Sequence, residues 1–129
     1  MASRIIDLGP SSEVATPDDM QYKLHAVSQQ DGRLHDRASN YLSVSSATTL
    51  TLPPAIAGHL RDFIVRIDLT SLAAAPEITF AAPTGDTVTF ETEDGAMPDW
   101  EAGKVNLVSF TETVAGKLAV AHKVVQEVA

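Results

Sequence analysis

The chain has 129 residues, 44% of them hydrophobic and 20% charged, with a formal net charge of −8. That suits one domain with a core of its own and is too apolar for a disordered chain. The absence of cysteine excludes disulfide scaffolds, thiolate metal sites and cysteine nucleophiles. So acidic a balance, with aromatics at only 5%, makes neither nucleic acid nor an anionic membrane an expected partner.

Residues 1–40 differ from the rest. They carry Pro10, Pro17, Ser11, Ser12, Gln29-Gln30 and Asp31-Gly32 without clean periodicity. The opening Met1-Ala2-Ser3-Arg4-Ile5-Ile6-Asp7 lacks the long apolar stretch of an ordinary secretory signal. Thr16-Pro17-Asp18-Asp19 has the chemistry of a helix start, with Thr16 as cap and acids in the first turn. A short amphipathic turn and an extended arm both fit. The apolar Ile5, Ile6, Leu8, Val14, Leu24 and Val27 favour an arm that packs on a neighbouring surface.

Strands begin after Gly32, and from about Ser43 to Val125 short Thr/Ser/Val-rich runs alternate polar and apolar residues. Leu34–Asn40 and Tyr41–Ser46 read as one or two strands, and Thr48–Leu52 as a strand stopped by Pro53-Pro54. Ala55–His59 reads as a loop. Arg61–Thr70 is the clearest strand, with Phe63, Val65, Ile67 and Leu69 on one face. Its charges, Arg61-Asp62 and Arg66/Asp68, read as a solvent face pairing across strands with Glu77 or Glu91, or as an inter-subunit contact. Ile78 and Phe80 point inward on Glu77–Ala81. Pro83-Thr84-Gly85-Asp86 has the composition of a hairpin turn, with Val88 and Phe90 on the returning strand. After the loop from Glu93 to Gly103, Val105–Thr113 and Lys117–Val125 are strands joined at Ala115-Gly116. The shifting apolar face of Val105, Leu107, Val108 and Phe110 implies a bulge or a strand covered on both sides. Six to eight strands at this spacing predict an all-β fold: an antiparallel β-sandwich or jelly-roll-like domain over 33–129, with an extended N-terminal arm over 1–32.

Few residues announce chemistry. Asp86, Glu91, Glu93, Asp94, Asp99 and Glu101 form an acidic stretch without Lys or Arg among them. Calcium takes several oxygens from one loop, and Glu91, Glu93, Asp94 and Asp99 are the ligands it would use. The order Glu91-x-Glu93-Asp94-Gly95 lacks the spacing of a calcium loop, so a solvated rim is the expectation and no cofactor is expected. A carboxylate pair for glycoside hydrolysis finds no aromatic subsite beyond Trp100. His25, His35, His59 and His122 show no metal-ligand spacing, and no G-x-S-x-G elbow accompanies them. His122, on an alternating Leu118-Val120-His122-Val124 stripe, reads as an interior or interface histidine. Trp100 reads as a plug over one end of the sandwich, with an interface anchor as the alternative. The chain is not expected to be an enzyme.

Several strings together carry a resemblance. They are Arg37-Ala38-Ser39-Asn40, Thr48-Thr49-Leu50-Thr51-Leu52-Pro53, Arg61-Asp62-Phe63-Ile64-Val65-Arg66, Ile78-Thr79-Phe80, Gly85-Asp86-Thr87-Val88-Thr89-Phe90 and Val108-Ser109-Phe110-Thr111-Glu112. The pattern, over about residues 33–125, resembles small β-rich proteins of phage and prophage structural gene clusters, and the β domains of head fibres and capsid decoration proteins. The resemblance implies a virion component at the particle surface, made in the host cytoplasm. It implies a homo-oligomer, commonly a trimer, bound to the major capsid protein or other virion proteins through its N-terminal segment. Ile5, Ile6 and Leu8 are the expected attachment residues. The alternative expectation is a receptor- or glycan-binding module of a tail or fibre tip, with calcium held by the acidic loop beside Trp100.

Overall fold

Alternation becomes burial in the strand Asp62–Asp68, where Phe63, Val65 and Ile67 are sealed from solvent and the residues between them are half-exposed. The computed structural model describes residues 25–29 and 31–125. Ile5, Ile6, Leu8 and the Thr16 helix start lie outside the described residues. Among the described residues there are eight strands and no helix: β1 His25–Ser28, β2 Ala38–Ser43, β3 Thr48–Thr51, β4 Asp62–Asp68, β5 Ile78–Ala81, β6 Thr89–Glu91, β7 Val105–Val114 and β8 Lys117–Val125. The all-β expectation holds. β structure nevertheless starts at His25, inside the segment read as an arm.

The strands form a six-stranded sheet in the order β1-β2-β4-β7-β8-β6 and a two-stranded sheet β3-β5. The expected antiparallel pairing is corrected here. β1–β2, β2–β4, β3–β5 and β6–β8 run parallel, and only β4–β7 and β7–β8 run antiparallel. The reason lies in the path. From β2 to β5 the chain crosses to the opposite sheet at every step, so neighbours within a sheet are two steps apart and point the same way. For β2–β4 and β3–β5 the crossover that parallel strands need is supplied by a strand of the facing sheet, whereas β6 and β8 are linked through β7 of their own sheet.

The Pro83–Asp86 turn forms as expected, with the Asp86 N–H donating to the Pro83 carbonyl at 3.0 Å and Gly85 at φ 87°. It does not close a hairpin. β5 pairs with β3, and β6 pairs with β8. The bulge lies between Glu112 and Val114 rather than at 105–110. Val105 and Asn106 are both buried, so the start of β7 is covered on both sides.

One core joins the sheets. Leu50, Leu52, Ile78 and Phe80 of the small sheet and its flanks meet Phe63, Val65, Ile67, Val108, Phe110 and Leu118 of the large one. The other three phenylalanines of the chain converge on Phe110, which stacks on Phe63 at 4.9 Å and meets Phe80 and Phe90 at tilted angles, at 4.9 and 6.0 Å.

Two buried asparagines set how the chain enters the large sheet. Asn40 accepts from the His35 N–H at 2.8 Å and donates to the His35 carbonyl at 3.0 Å. It also donates to the Ile64 carbonyl at 3.1 Å and accepts from Gln29 Nε2 at 2.6 Å. Asn106 repeats the clamp on Glu101, accepting from its N–H and donating to its carbonyl, both at 3.0 Å. In each case the residue three before the asparagine is left-handed: Arg37 at φ 55° and Gly103 at φ 78°. Each clamp supplies partners to backbone groups that an irregular entry would otherwise leave buried and unpaired.

Replacing Asn40 with Ala removes the partners of three backbone groups at once. At about 1–3 kcal/mol for each buried group left unsatisfied, partly relieved by water, Asn40→Ala is expected to cost about 2–4 kcal/mol. The urea midpoint should fall at unchanged slope, while the adjacent outward Ser39→Ala stays within about 0.5 kcal/mol. Equal midpoints for the two variants would remove the clamp's role.

Candidate functional site at the Pro53–Leu60 end

The inward stripe of β4 does not begin with Phe63. Counting back by two places Arg61 on the same face, and Arg61 is only 1% exposed. The expectation of a solvent-facing Arg61 is therefore corrected, and period two explains why. Nor do Glu77 and Glu91 flank β4, whose neighbours are β2 and β7.

Arg61 is enclosed by partners from three other segments. Its Nε and Nη2 donate to the two oxygens of Glu112, at 3.1 and 2.9 Å, a bidentate pair. Its Nη1 donates to the Pro53 carbonyl at 2.9 Å and to Asp86 Oδ2 at 2.8 Å. Glu112, itself buried, also accepts the Arg61 backbone N–H at 2.8 Å and the Gly116 N–H at 2.7 Å. The Arg61 guanidinium, helped by the two backbone N–H groups and opposed by burial, holds the Glu112 carboxyl down at about 2. The bonds to Glu112 raise the Arg61 pKa further, against burial. A cation thus ties the end of β3, the start of β4, the Pro83–Asp86 turn and the end of β7 together.

Over this anchor sits the loop 53–60. Pro53 and Pro54 end β3, the His59 N–H donates back to the Ile56 carbonyl at 3.0 Å, and Gly58 adopts φ 81° at the tip. Ile56 is 57% exposed and Leu60 46%, and Val114 on the neighbouring β7–β8 turn is 60% exposed. Ile56 and Leu60 line a cavity of about 530 Å³ whose floor includes Asp86, Glu112 and Gly116. Ile56 also borders a groove of about 660 Å³ flanked by His35, Asp36, Pro53 and Pro83. The Leu60 carbonyl accepts from Arg37 Nη2 at 3.2 Å. An apolar protrusion is thus mounted on a buried ionic base.

The residues singled out from the sequence lie elsewhere. Trp100 is half-buried, its ring tilted on Phe80 at 5.9 Å and edge-on to His122 at 5.3 Å. Glu91, Glu93, Asp94 and Asp99 are all exposed. Glu93 and Asp94 share an open pocket of about 460 Å³ with His122 and Pro98. One Asp94 oxygen there accepts the Ala96 N–H at 3.2 Å, within its own loop. Among the described residues no three His, Asp or Glu side chains are grouped as a metal ion would need. His122 is inward-facing on β8, with Nε2 2.9 Å from Asn106 Oδ1. Burial lowers its pKa, and Glu101 opposes the shift weakly. Comparison with family models, curated proteins and solved structures gave no match.

Removing the Glu112 charge leaves the buried Arg61 with only the part-exposed Asp86 as counter-charge. Glu112→Gln is expected to cost about 3–5 kcal/mol, whereas the apolar double variant Arg61→Met/Glu112→Leu recovers most of that loss. Urea denaturation of the two variants measures the difference. Because the Glu112 pKa is lowered on folding, its contribution is complete above about pH 4.5 and is lost as pH falls towards 2. His122 is also lowered, so the unfolded chain takes up its proton first. Stability should begin to fall once pH drops below about 6.5, and His122→Gln should flatten that limb of the melting-temperature profile.

Proposed function

We propose that this chain is a non-enzymatic structural protein of a phage particle, a capsid decoration or head-fibre subunit that attaches through its N-terminal segment. The observation that carries a contact role is the exposed Ile56, Leu60 and Val114 held over the buried Arg61–Glu112–Asp86 cluster. Leaving apolar side chains in water is unfavourable, and fixing their loop with charge-assisted bonds lowers the entropy lost when a partner covers them. The resemblance of the strand and turn strings to phage structural proteins supplies the setting. The partner is the major capsid protein or another virion protein, and the location is the particle surface.

Two variants separate the attachment segment from the tip. Deleting residues 1–15 should abolish incorporation into purified particles while leaving the melting temperature of the β domain unchanged. Ile56→Asp/Leu60→Asp, on exposed positions, should change stability by less than about 0.5 kcal/mol and reduce particle occupancy. Absence of the wild-type protein from purified particles sinks the proposal.

A further inference from the structure

The cavity of about 530 Å³ at loop 53–60 has an apolar rim and an acidic floor, with Ile56 and Leu60 at the one and Asp86 and Glu112 at the other. At that floor two carboxylates share one guanidinium, since Asp86 and Glu112 both pair with Arg61. Glu112 is held through both of its oxygens. Asp86 is held through Oδ2 alone, and among the described residues its other oxygen has no hydrogen-bond partner. One negative charge is therefore left over at the base of the cavity, on a side chain only 17% exposed.

Among the described residues no Lys or Arg lines the cavity to balance that charge. Arg37 donates to the Leu60 carbonyl from outside it, and Lys117 opens β8, opposite Thr89 and Val114. Where water is partly excluded, a carboxylate left without a counter-charge is costlier than at an open surface and attracts a cation more strongly. A lysine side chain matches both halves of such a cavity, because its stem covers apolar surface while its ammonium stays with polar groups. The one free oxygen of Asp86 also selects between cations. Arginine gains most from a carboxylate that offers both oxygens to its fork, and Asp86 has given one to Arg61. An ammonium is a point charge that needs only one. The net charge of −8 favours the approach of a basic partner.

From this charge complementarity we infer that the tip cavity takes a lysine side chain of a partner protein, with the stem along Ile56 and Leu60 and the ammonium on Asp86. The inference deepens the reading of the tip as a contact surface, and rests on it, by naming the chemistry of what the tip contacts.

The test titrates the full chain with Nα-acetyl-lysine N-methylamide, its uncharged norleucine analogue and its arginine analogue, following backbone amides by two-dimensional NMR. The titration is run at about pH 8, where an ordinary histidine is neutral, since His59 also lines the cavity. The lysine compound should shift the amides of Gly58, Thr87 and Gly116, which line the cavity. It should bind roughly tenfold more tightly than the norleucine compound, the gain of one charge-assisted hydrogen bond, and more tightly than the arginine compound. Asp86→Asn leaves Arg61 and Glu112 as a balanced pair and should bring lysine binding down to the norleucine level. Raising NaCl from about 20 to about 300 mM should weaken the lysine compound and spare the norleucine one, a readout that needs no variant to fold. No shift at these amides, equal binding of lysine and norleucine, equal binding of lysine and arginine, lysine binding that survives Asp86→Asn, or a lysine preference indifferent to salt overturns the inference. Particle occupancy separates this result from the function proposed above. Wild-type protein missing from particles sinks that function while the titration still decides this inference. Wild-type and Asp86→Asn chains at equal occupancy overturn the lysine contact while that function stands.

Discussion

A guanidinium removed from water is the constraint around which one end of this molecule is arranged. Arg61 cannot lose its charge at any ordinary pH, so folding must bring it acceptors, and acceptors come from Pro53, Asp86 and Glu112. None of these is a sequence neighbour of another, and each lies on a different segment. The crossing from β3 to β4, the turn before β6 and the exit of β7 are therefore fixed relative to one another by a single side chain. The apolar tip inherits that rigidity. Loop 53–60 has few regular backbone bonds of its own, yet both of its ends are gripped, at Pro53 and at Arg61.

The same logic recurs on a neutral scale at Asn40 and Asn106. Asn40 lies on a strand parallel to both its neighbours and Asn106 on one antiparallel to both, yet each strand is entered through an irregular loop whose backbone groups need partners from side chains. Each asparagine meets the need with one amide that both donates to and accepts from a residue five positions earlier. Arg37 takes a left-handed conformation that costs a non-glycine residue about 1–2 kcal/mol. Its backbone N–H reaches the Asp62 carbonyl at 3.0 Å and its side chain the Leu60 carbonyl, which offsets that cost. Buried polar groups thus specify the chain path, while the phenylalanine cluster around Phe110 supplies the apolar burial.

Period two made the strand faces legible, because it depends only on each strand's own geometry. It correctly grouped Phe63, Val65, Ile67 and Leu69, and the Ile78/Phe80 pair. Strand direction is a property of the path between strands, and alternation is blind to it. The Pro83–Asp86 turn shows the gap: its chemistry was readable, but the partner of the strand after it was decided by β8. Arg61 was readable too, since it occupies the inward parity. Its charge made it look like a solvent residue, and only a count from Phe63 backwards, set against Glu112 two residues beyond the equally inward Phe110, points to a buried pair. Asn40 and Asn106 carry no comparable mark, because a clamp depends on a loop conformation that residue types five apart do not encode.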